Sequence, residues 1–107
     1  LLLLGVTFKE NVQDTRNSPA LRVAELLVER GADITYSDQH VPEISLHERQ
    51  FHSLSMEQAA QQEFDGIVIL VNHGYFDLEA VLNNHQLVID AVDATRKLGP
   101  RPNVVKL

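Results

Sequence analysis

The chain contains no cysteine among its 107 residues. A thiolate metal site, a disulfide framework and a cysteine nucleophile are therefore excluded within it. Its five glycines never form the GxGxxG pattern that holds a dinucleotide pyrophosphate. A Walker A sequence and a GxSxG nucleophile elbow are also absent from the sequence. Taken alone, the chain is typical of a binding domain without the residues of a complete catalytic centre.

Basic residues are in the minority, with nine lysines and arginines against 15 acidic residues and a formal net charge of −6. Because nucleic-acid-binding domains usually present a basic face, we do not expect nucleic acid as a partner. No apolar run approaches the roughly 20 residues that span a bilayer, so we expect no membrane partner and a cytoplasmic location. The four leucines at the start lack the basic flank of a signal peptide and are typical of a strand interior, which predicts a fragment of a longer protein.

Short apolar runs alternate with segments of helical periodicity along the whole chain. The predicted strands cover residues 1–8, 33–38, 51–54, 67–71, 87–90 and 103–107, and the predicted helices cover residues 20–30, 55–63 and 77–84. Residues 39–48 are polar and are predicted to form a loop over the sheet edge. Alternating strands and helices predict a doubly wound α/β domain, with a mostly parallel sheet in a three-layer α/β/α, Rossmann-like arrangement. We treat residues 1–107 as a single domain.

A charged loop follows the first predicted strand and carries Lys9, Asp14 and Arg16. Ligands of open α/β sheets bind at the carboxyl ends of the strands, where this loop is predicted to lie. Lysine and arginine both bind phosphate, so the two cations predict a nucleotide or a nucleotide-sugar as the ligand. A solvated loop with a weak Asp–Arg surface pair remains an equal alternative.

Three further groups of residues follow later strands. Arg96 follows the strand at 87–90 and either converges on the same anion or faces solvent. His73 follows the strand at 67–71 and either serves a ligand as donor, acid or base, or bonds to local backbone. The histidines at positions 40, 47 and 52, with Glu43 and Glu48, match no compact metal-ligand pattern, so we predict no metal site.

The segment at residues 5–19 closely resembles the C-terminal domain of the UDP-glucose/GDP-mannose dehydrogenase family. The matching residues are Gly5, Phe8, Lys9, Asn11, Asp14, Arg16, Ser18 and Pro19. The resemblance continues through residues 31–38, 65–70 and 88–96, and therefore spans nearly the whole chain. His73 with Phe76 and Asp77 is more similar to the bacterial UDP-N-acetyl-hexosamine 6-dehydrogenases than to the UDP-glucose branch.

The resemblance implies a nucleotide-sugar-binding domain at the C-terminus of an NAD-dependent UDP-sugar 6-dehydrogenase. Such an enzyme oxidises the sugar C6 hydroxyl to a carboxylate for polysaccharide precursor synthesis. Phe8, Lys9 and Arg96 would then bind the UDP-sugar, and Arg16 would contact NAD. The N-terminal NAD-binding domain and the central region with the catalytic cysteine would be further domains of the same polypeptide, which would be a homo-oligomer.

The isolated domain is expected to be inactive, because no catalytic residue is assigned within it. Two alternatives from other classes stay open. One is a stand-alone nucleotide-binding module without turnover. The other is a structural interaction domain in which Lys9 and Arg16 only pair with acidic neighbours.

Overall fold

The computed structural model describes residues 1–7 and 18–107. The strands are β1 (Leu2–Leu4), β2 (Thr35–Ser37), β3 (Glu43–Leu46), β4 (Arg49–His52), β5 (Ile67–Ile69), β6 (Val88–Asp90) and β7 (Val104–Lys106). The helices are α1 (Pro19–Glu29), α2 (Met56–Ala60) and α3 (Leu78–Asn84), and a single 3₁₀ turn covers Arg96–Leu98. The predicted alternation of strands and helices is therefore confirmed, with shorter strands than the sequence indicates.

Five of the strands form one sheet in the order β2-β1-β5-β6-β7. All four pairings within this sheet are parallel. Strand β1 lies in the interior of the sheet, which explains why its leucines are buried on both faces. The predicted doubly wound, mostly parallel α/β fold is confirmed.

The two faces of the sheet carry separate hydrophobic clusters, because successive side chains of a strand point to opposite faces. Leu3 packs on one face with Ala24 of α1. Leu2 and Leu4 pack on the other face, in a cluster that includes Ala59 of α2 and residues of α3. The helices therefore cover both faces, which is the predicted three-layer arrangement.

Each helix begins at a side-chain cap. Ser18 accepts a hydrogen bond from the backbone N–H of Leu21, with Pro19 at the first helical position, as the sequence predicts. Ser55 and Gln58 form the predicted capping box at the start of α2. Asp77 caps α3. These local signals set the helix starts independently of the tertiary fold.

The prediction of a continuous loop at residues 39–48 is wrong, because β3 lies within it. Strands β3 and β4 form an antiparallel hairpin beside the main sheet. Ile44 and Leu46 point inward and are buried, in the alternating pattern of a strand with one face covered. His47 and Glu48 make the two-residue turn with positive φ angles of 49° and 63°, without the Asn-Gly signal that usually marks such turns.

Gly5 directly follows β1 and has a backbone conformation that favours glycine. Its φ is +87°, and a Cβ placed there would lie 2.6 Å from the Cβ of Val71. The turn after β1 therefore needs glycine for both its dihedral angle and its close approach to the chain after β5.

Candidate functional site

Parallel strands β1, β2, β5 and β6 end at one edge of the sheet, which we call the carboxyl edge. Thr7 lies beyond β1, Asp38 directly follows β2, and His73 lies beyond β5. Asp38 and Thr7 have no exposed surface, and His73 is 1% exposed. Polar groups buried this deeply need hydrogen-bond partners to offset their lost hydration.

These three residues form a set of hydrogen bonds that we call the Asp38 network. His73 Nε2 lies 2.8 Å from Asp38 Oδ2 and 3.1 Å from Thr7 Oγ1. Because a carboxylate only accepts, the geometry assigns the proton to Nε2. The backbone N–H groups of Val6 and His40 each donate to the same carboxylate over 2.9 Å. One carboxylate thus connects the chain after β1, after β2 and after β5.

Ser18 extends these connections to the start of α1. Its hydroxyl lies 2.8 Å from the carbonyl oxygen of Val6 and 3.1 Å from that of Thr7, and it donates to this pair. The same oxygen accepts the N–H of Leu21. Thr7 and Ser18 are therefore held next to each other, although ten residues of sequence separate them.

Aromatic rings surround His73. The ring centroids of His40, Phe76 and Tyr75 lie 4.7, 5.6 and 6.1 Å from that of His73, and Tyr75 stacks on it at 20°. The hydroxyl of Tyr75 accepts the backbone N–H of Gln39 over 2.7 Å. Burial raises the pKa of Tyr75 above its ordinary value, so its hydroxyl stays protonated at neutral pH.

A groove of about 460 Å³ opens beside this cluster. It runs between the chain after β2 and the chain after β4, with Tyr75 as part of its wall. A second groove, of about 310 Å³, is lined mainly by residues of α2 and α3. The first of the two is close to the Asp38 network, because Asp38 itself lies along it.

A second buried carboxylate, that of Asp90, ends β6. It accepts the backbone N–H groups of Val92, Ala94 and Thr95 and the hydroxyl of Thr95, over 2.7–3.2 Å. Burial acts to raise the pKa of Asp90, but these four hydrogen bonds outweigh it and leave the pKa below its ordinary value. We call this group the Asp90 network, and it fixes the chain that leads to Arg96.

The predicted site residues fall into two groups. Phe8, Lys9 and Arg16, together with Asp14, lie outside the described residues. Arg96 begins the 3₁₀ turn after the Asp90 network, with 82% of its side chain exposed and its Nε 3.9 Å from Asp93 Oδ2. At that exposure this pair is a weak surface interaction that leaves the guanidinium accessible to a ligand.

Two of the histidines considered as metal ligands each lie beside a single glutamate. His47 Nε2 lies 3.2 Å from Glu29, and His52 Nδ1 lies 3.7 Å from Glu43. Within residues 1–7 and 18–107, no three histidine, aspartate or glutamate side chains are grouped as a metal site.

Sequence reasoning missed the Asp38 network, although it singled out His73. The separate signals were present, because Asp38 ends the predicted strand at residues 33–38 and His73 follows the one at residues 67–71. Their pairing depends on the strand order, which places β1 between β2 and β5. Residues that follow neighbouring parallel strands lie close together at the carboxyl edge. The sequence does not reveal which strands are neighbours.

The fold and the carboxyl edge define a class, the Rossmann-like α/β domains, whose ligands bind at the carboxyl ends of the strands. None of the helices in the described part of the chain is long and apolar enough to cross a membrane. Comparison with known proteins identifies the family. The sequence profile of the UDP-glucose/GDP-mannose dehydrogenase family, UDP binding domain, matches residues 2–97. The chain belongs to this family.

Individual relatives agree with this assignment. A UDP-N-acetyl-D-mannosamine dehydrogenase from Methanococcus maripaludis is 34% identical over 74 residues, which are 69% of this chain and 16% of that protein. The dehydrogenase of the same name from Methanocaldococcus jannaschii is 33% identical over 84 residues, or 76% of this chain and 18% of that protein. The aligned part of the chain thus spans less than a fifth of the length of these relatives.

Solved structures share the fold. The UDP-D-ManNAc dehydrogenase from Pyrococcus horikoshii aligns with a TM-score of 0.67 at 23% identity, covering 98% of this chain and 24% of that one. A UDP-N-acetyl-mannosamine dehydrogenase from S. aureus aligns with a TM-score of 0.68 at 21% identity, with the same coverage.

Proposed function

We propose that this chain binds the UDP part of a UDP-sugar within an NAD-dependent UDP-sugar 6-dehydrogenase. The observation that carries the proposal is the family match over residues 2–97. The carboxyl edge supports it, because the Asp38 network holds Thr7, which immediately precedes residues 8–17 in sequence, and the Asp90 network holds the chain that leads to Arg96. Names of relatives support a UDP-N-acetyl-hexosamine, in particular UDP-N-acetyl-mannosamine, as the substrate.

In this proposal the cations hold phosphate. Lys9 contacts a phosphate oxygen of the UDP-sugar, and Phe8 contacts the nucleotide-sugar beside it. Arg96 supplies a second positive group, which its exposure at the end of the Asp90 network makes accessible. Arginine suits this role because its planar fork matches phosphate oxygens.

NAD does not fit the described residues. The sequence after β1 has one glycine, Gly5, before the start of α1. A turn with three glycines, which lets a pyrophosphate approach a helix start, is therefore absent from this sequence. We therefore propose that a separate N-terminal domain holds NAD and that Arg16 reaches it from this domain. The nucleophilic thiolate that two-stage oxidation to a carboxylate requires would come from a central domain, since this chain has no cysteine.

The 107-residue chain accordingly represents the C-terminal nucleotide-sugar-binding domain of a longer, homo-oligomeric enzyme. It would contribute substrate binding and positioning, and by itself it would not turn over substrate. Its coverage of less than a fifth of its relatives' length supports the expectation of further domains.

Isothermal titration calorimetry of the 107-residue chain with UDP tests the proposal. We expect weak, saturable binding, and we expect Lys9→Ala to lower the affinity at least about tenfold, because a charge-assisted hydrogen bond contributes ~1.5–3 kcal/mol. Arg30→Ala is the matched control, because it removes one exposed positive charge at the opposite end of α1.

Each outcome separates the alternatives. Binding of UDP that Lys9→Ala weakens and Arg30→Ala does not supports the proposed site. Equal binding by the parent and Lys9→Ala refutes the phosphate role of Lys9. No binding of UDP or UDP-sugars at millimolar concentration favours the structural interaction domain.

A further inference from the structure

The Asp38 network is adjacent in sequence to the segment that carries the proposed ligand residues. Thr7, a member of the network, immediately precedes Phe8 and Lys9 in sequence. Ser18, which lies two residues after Arg16, bonds to the carbonyl groups of Val6 and Thr7. Thr7 and Ser18, the described residues on either side of residues 8–17, are therefore bonded to each other.

The three side chains of the network are buried. Thr7 and Asp38 have no exposed surface, and His73 is 1% exposed. Their influence on ligand binding is therefore expected to pass mainly through the backbone that they hold. The backbone contact is present, because Asp38 accepts the N–H of Val6 over 2.9 Å.

Stability alone is a weak explanation for such a network. The desolvation cost of buried polar groups offsets much of the energy of their hydrogen bonds, and apolar replacements of the same shape are often as stable. Directional bonds from one carboxylate to three chain segments instead fix those segments relative to one another. The Asp38 carboxylate makes such bonds to Val6, His40 and His73.

We propose that Asp38, His73 and Thr7 are positioning residues for UDP binding, because they hold the described chain that leads into the segment with Lys9. This inference rests on the proposed function and deepens it. Binding energy from a phosphate contact depends on placement, and misplacement by about 1 Å can reduce function ~100-fold. The network holds the polypeptide at the point where the segment with Lys9 begins.

The experiment measures UDP affinity by calorimetry under conditions where urea unfolding shows each variant to be folded. Thr7→Val removes the hydroxyl and keeps the shape of the side chain, and we expect it to weaken UDP binding about tenfold. Thr7→Ser restores the hydroxyl and should bind within about twofold of the parent. His73→Gln, which keeps an N–H donor near the position of Nε2, should bind better than His73→Ala.

A control variant separates positioning from a general loss of stability. Asn103 donates to the carbonyl groups of Leu82 and His85 over 2.7 and 2.8 Å, just before β7 and so at the opposite edge of the sheet. Asn103→Ala should lower the free energy of unfolding and leave the UDP affinity of the folded protein unchanged. An equal loss of affinity in Asn103→Ala and Thr7→Val would overturn the inference.

A double-mutant cycle with Lys9 gives the decisive readout. If the network acts through residues 8–17, the loss caused by Thr7→Val should largely disappear in a Lys9→Ala background. Independent, multiplicative losses would refute positioning of Lys9. If the parent chain binds no UDP, the proposed function itself is refuted. If the parent binds UDP and Thr7→Val and His73→Ala bind it with the same affinity as the parent, only the positioning role is refuted.

Discussion

Replacement of Asp90 by asparagine tests how strongly the loop before Arg96 depends on one buried carboxylate. The two oxygens of Asp90 accept four hydrogen bonds, two each. An asparagine amide offers one acceptor oxygen, so in either orientation two donors, buried for Thr95 and part-buried for Val92 and Ala94, would face its NH₂ group. Each unsatisfied buried donor costs ~1–3 kcal/mol, and the expected loss in the free energy of unfolding is therefore about 2–6 kcal/mol.

Urea unfolding followed by circular dichroism at pH 7 measures this loss directly, and its dependence on pH gives a second test. The pKa of Asp90 is below its ordinary value, so its stabilising contribution is present above the unfolded pKa of about 3.9. That contribution is lost as the pH falls through the lower, folded pKa. Asp90→Asn has no such group to titrate, and its stability should fall less steeply in acid than that of the parent.

Two results would refute this reasoning. One is a loss of less than ~1 kcal/mol for Asp90→Asn at pH 7, since the four hydrogen bonds would then contribute little. The other is an equally steep fall in the free energy of unfolding with decreasing pH in the parent and the variant, since the carboxylate would then not be responsible for the pH dependence. Thr95→Val is a second, less disruptive variant, because it removes only the hydroxyl donor. It should lower the free energy of unfolding by about 1.5–3 kcal/mol.

Three further predictions concern the fold. Gly5→Ala should lower the free energy of unfolding, measured by urea denaturation, by about 2–5 kcal/mol, because it combines a positive φ with a Cβ clash against Val71. A change below ~1 kcal/mol would contradict that account. Ser18→Ala should cost about 2 kcal/mol and speed amide exchange in the first turn of α1, whereas Glu25→Gln, at the exposed pair with Arg22, should cost less than ~1 kcal/mol. Burial raises the pKa of Tyr36 and of Tyr75, which are the two tyrosines of the chain. Absorbance at 295 nm should therefore show neither tyrosine ionising near pH 10 while the chain stays folded. Because the folded pKa is the higher one, the stability that these tyrosines contribute is lost as the pH rises above about 10.

The sequence predicts well those features that depend on neighbouring residues. Helix starts at Ser18 and Ser55 follow from side chains within three residues of the cap, and both are confirmed. The apolar strands β1 and β5 follow from short runs that no polar residue interrupts. In each case the information lies within a few residues of the element.

Features that depend on distant residues could not be predicted in the same way. The hairpin of β3 and β4 is stabilised by packing of Ile44 and Leu46, and its turn at His47 and Glu48 uses residues that rarely mark such turns. The Asp38 network joins side chains 35 residues apart in sequence. Periodicity shows that each of these residues follows or lies in an element, but only the order of the strands brings them together.

The proposal that an acidic domain binds a nucleotide raises an electrostatic question, which the placement of charges in the two networks addresses. Asp38 follows β2 and accepts the backbone N–H groups of Val6 and His40. Asp90 ends β6 and accepts the N–H groups of Ala94 and Thr95. The N–H dipoles aimed at both carboxylates compensate their negative charge inside the protein. Arg96, by contrast, keeps 82% of its side chain exposed next to the Asp90 network. The net charge of −6 is thus compatible with an anionic ligand at the carboxyl edge, since local placement of the charges, rather than their sum, decides what approaches it.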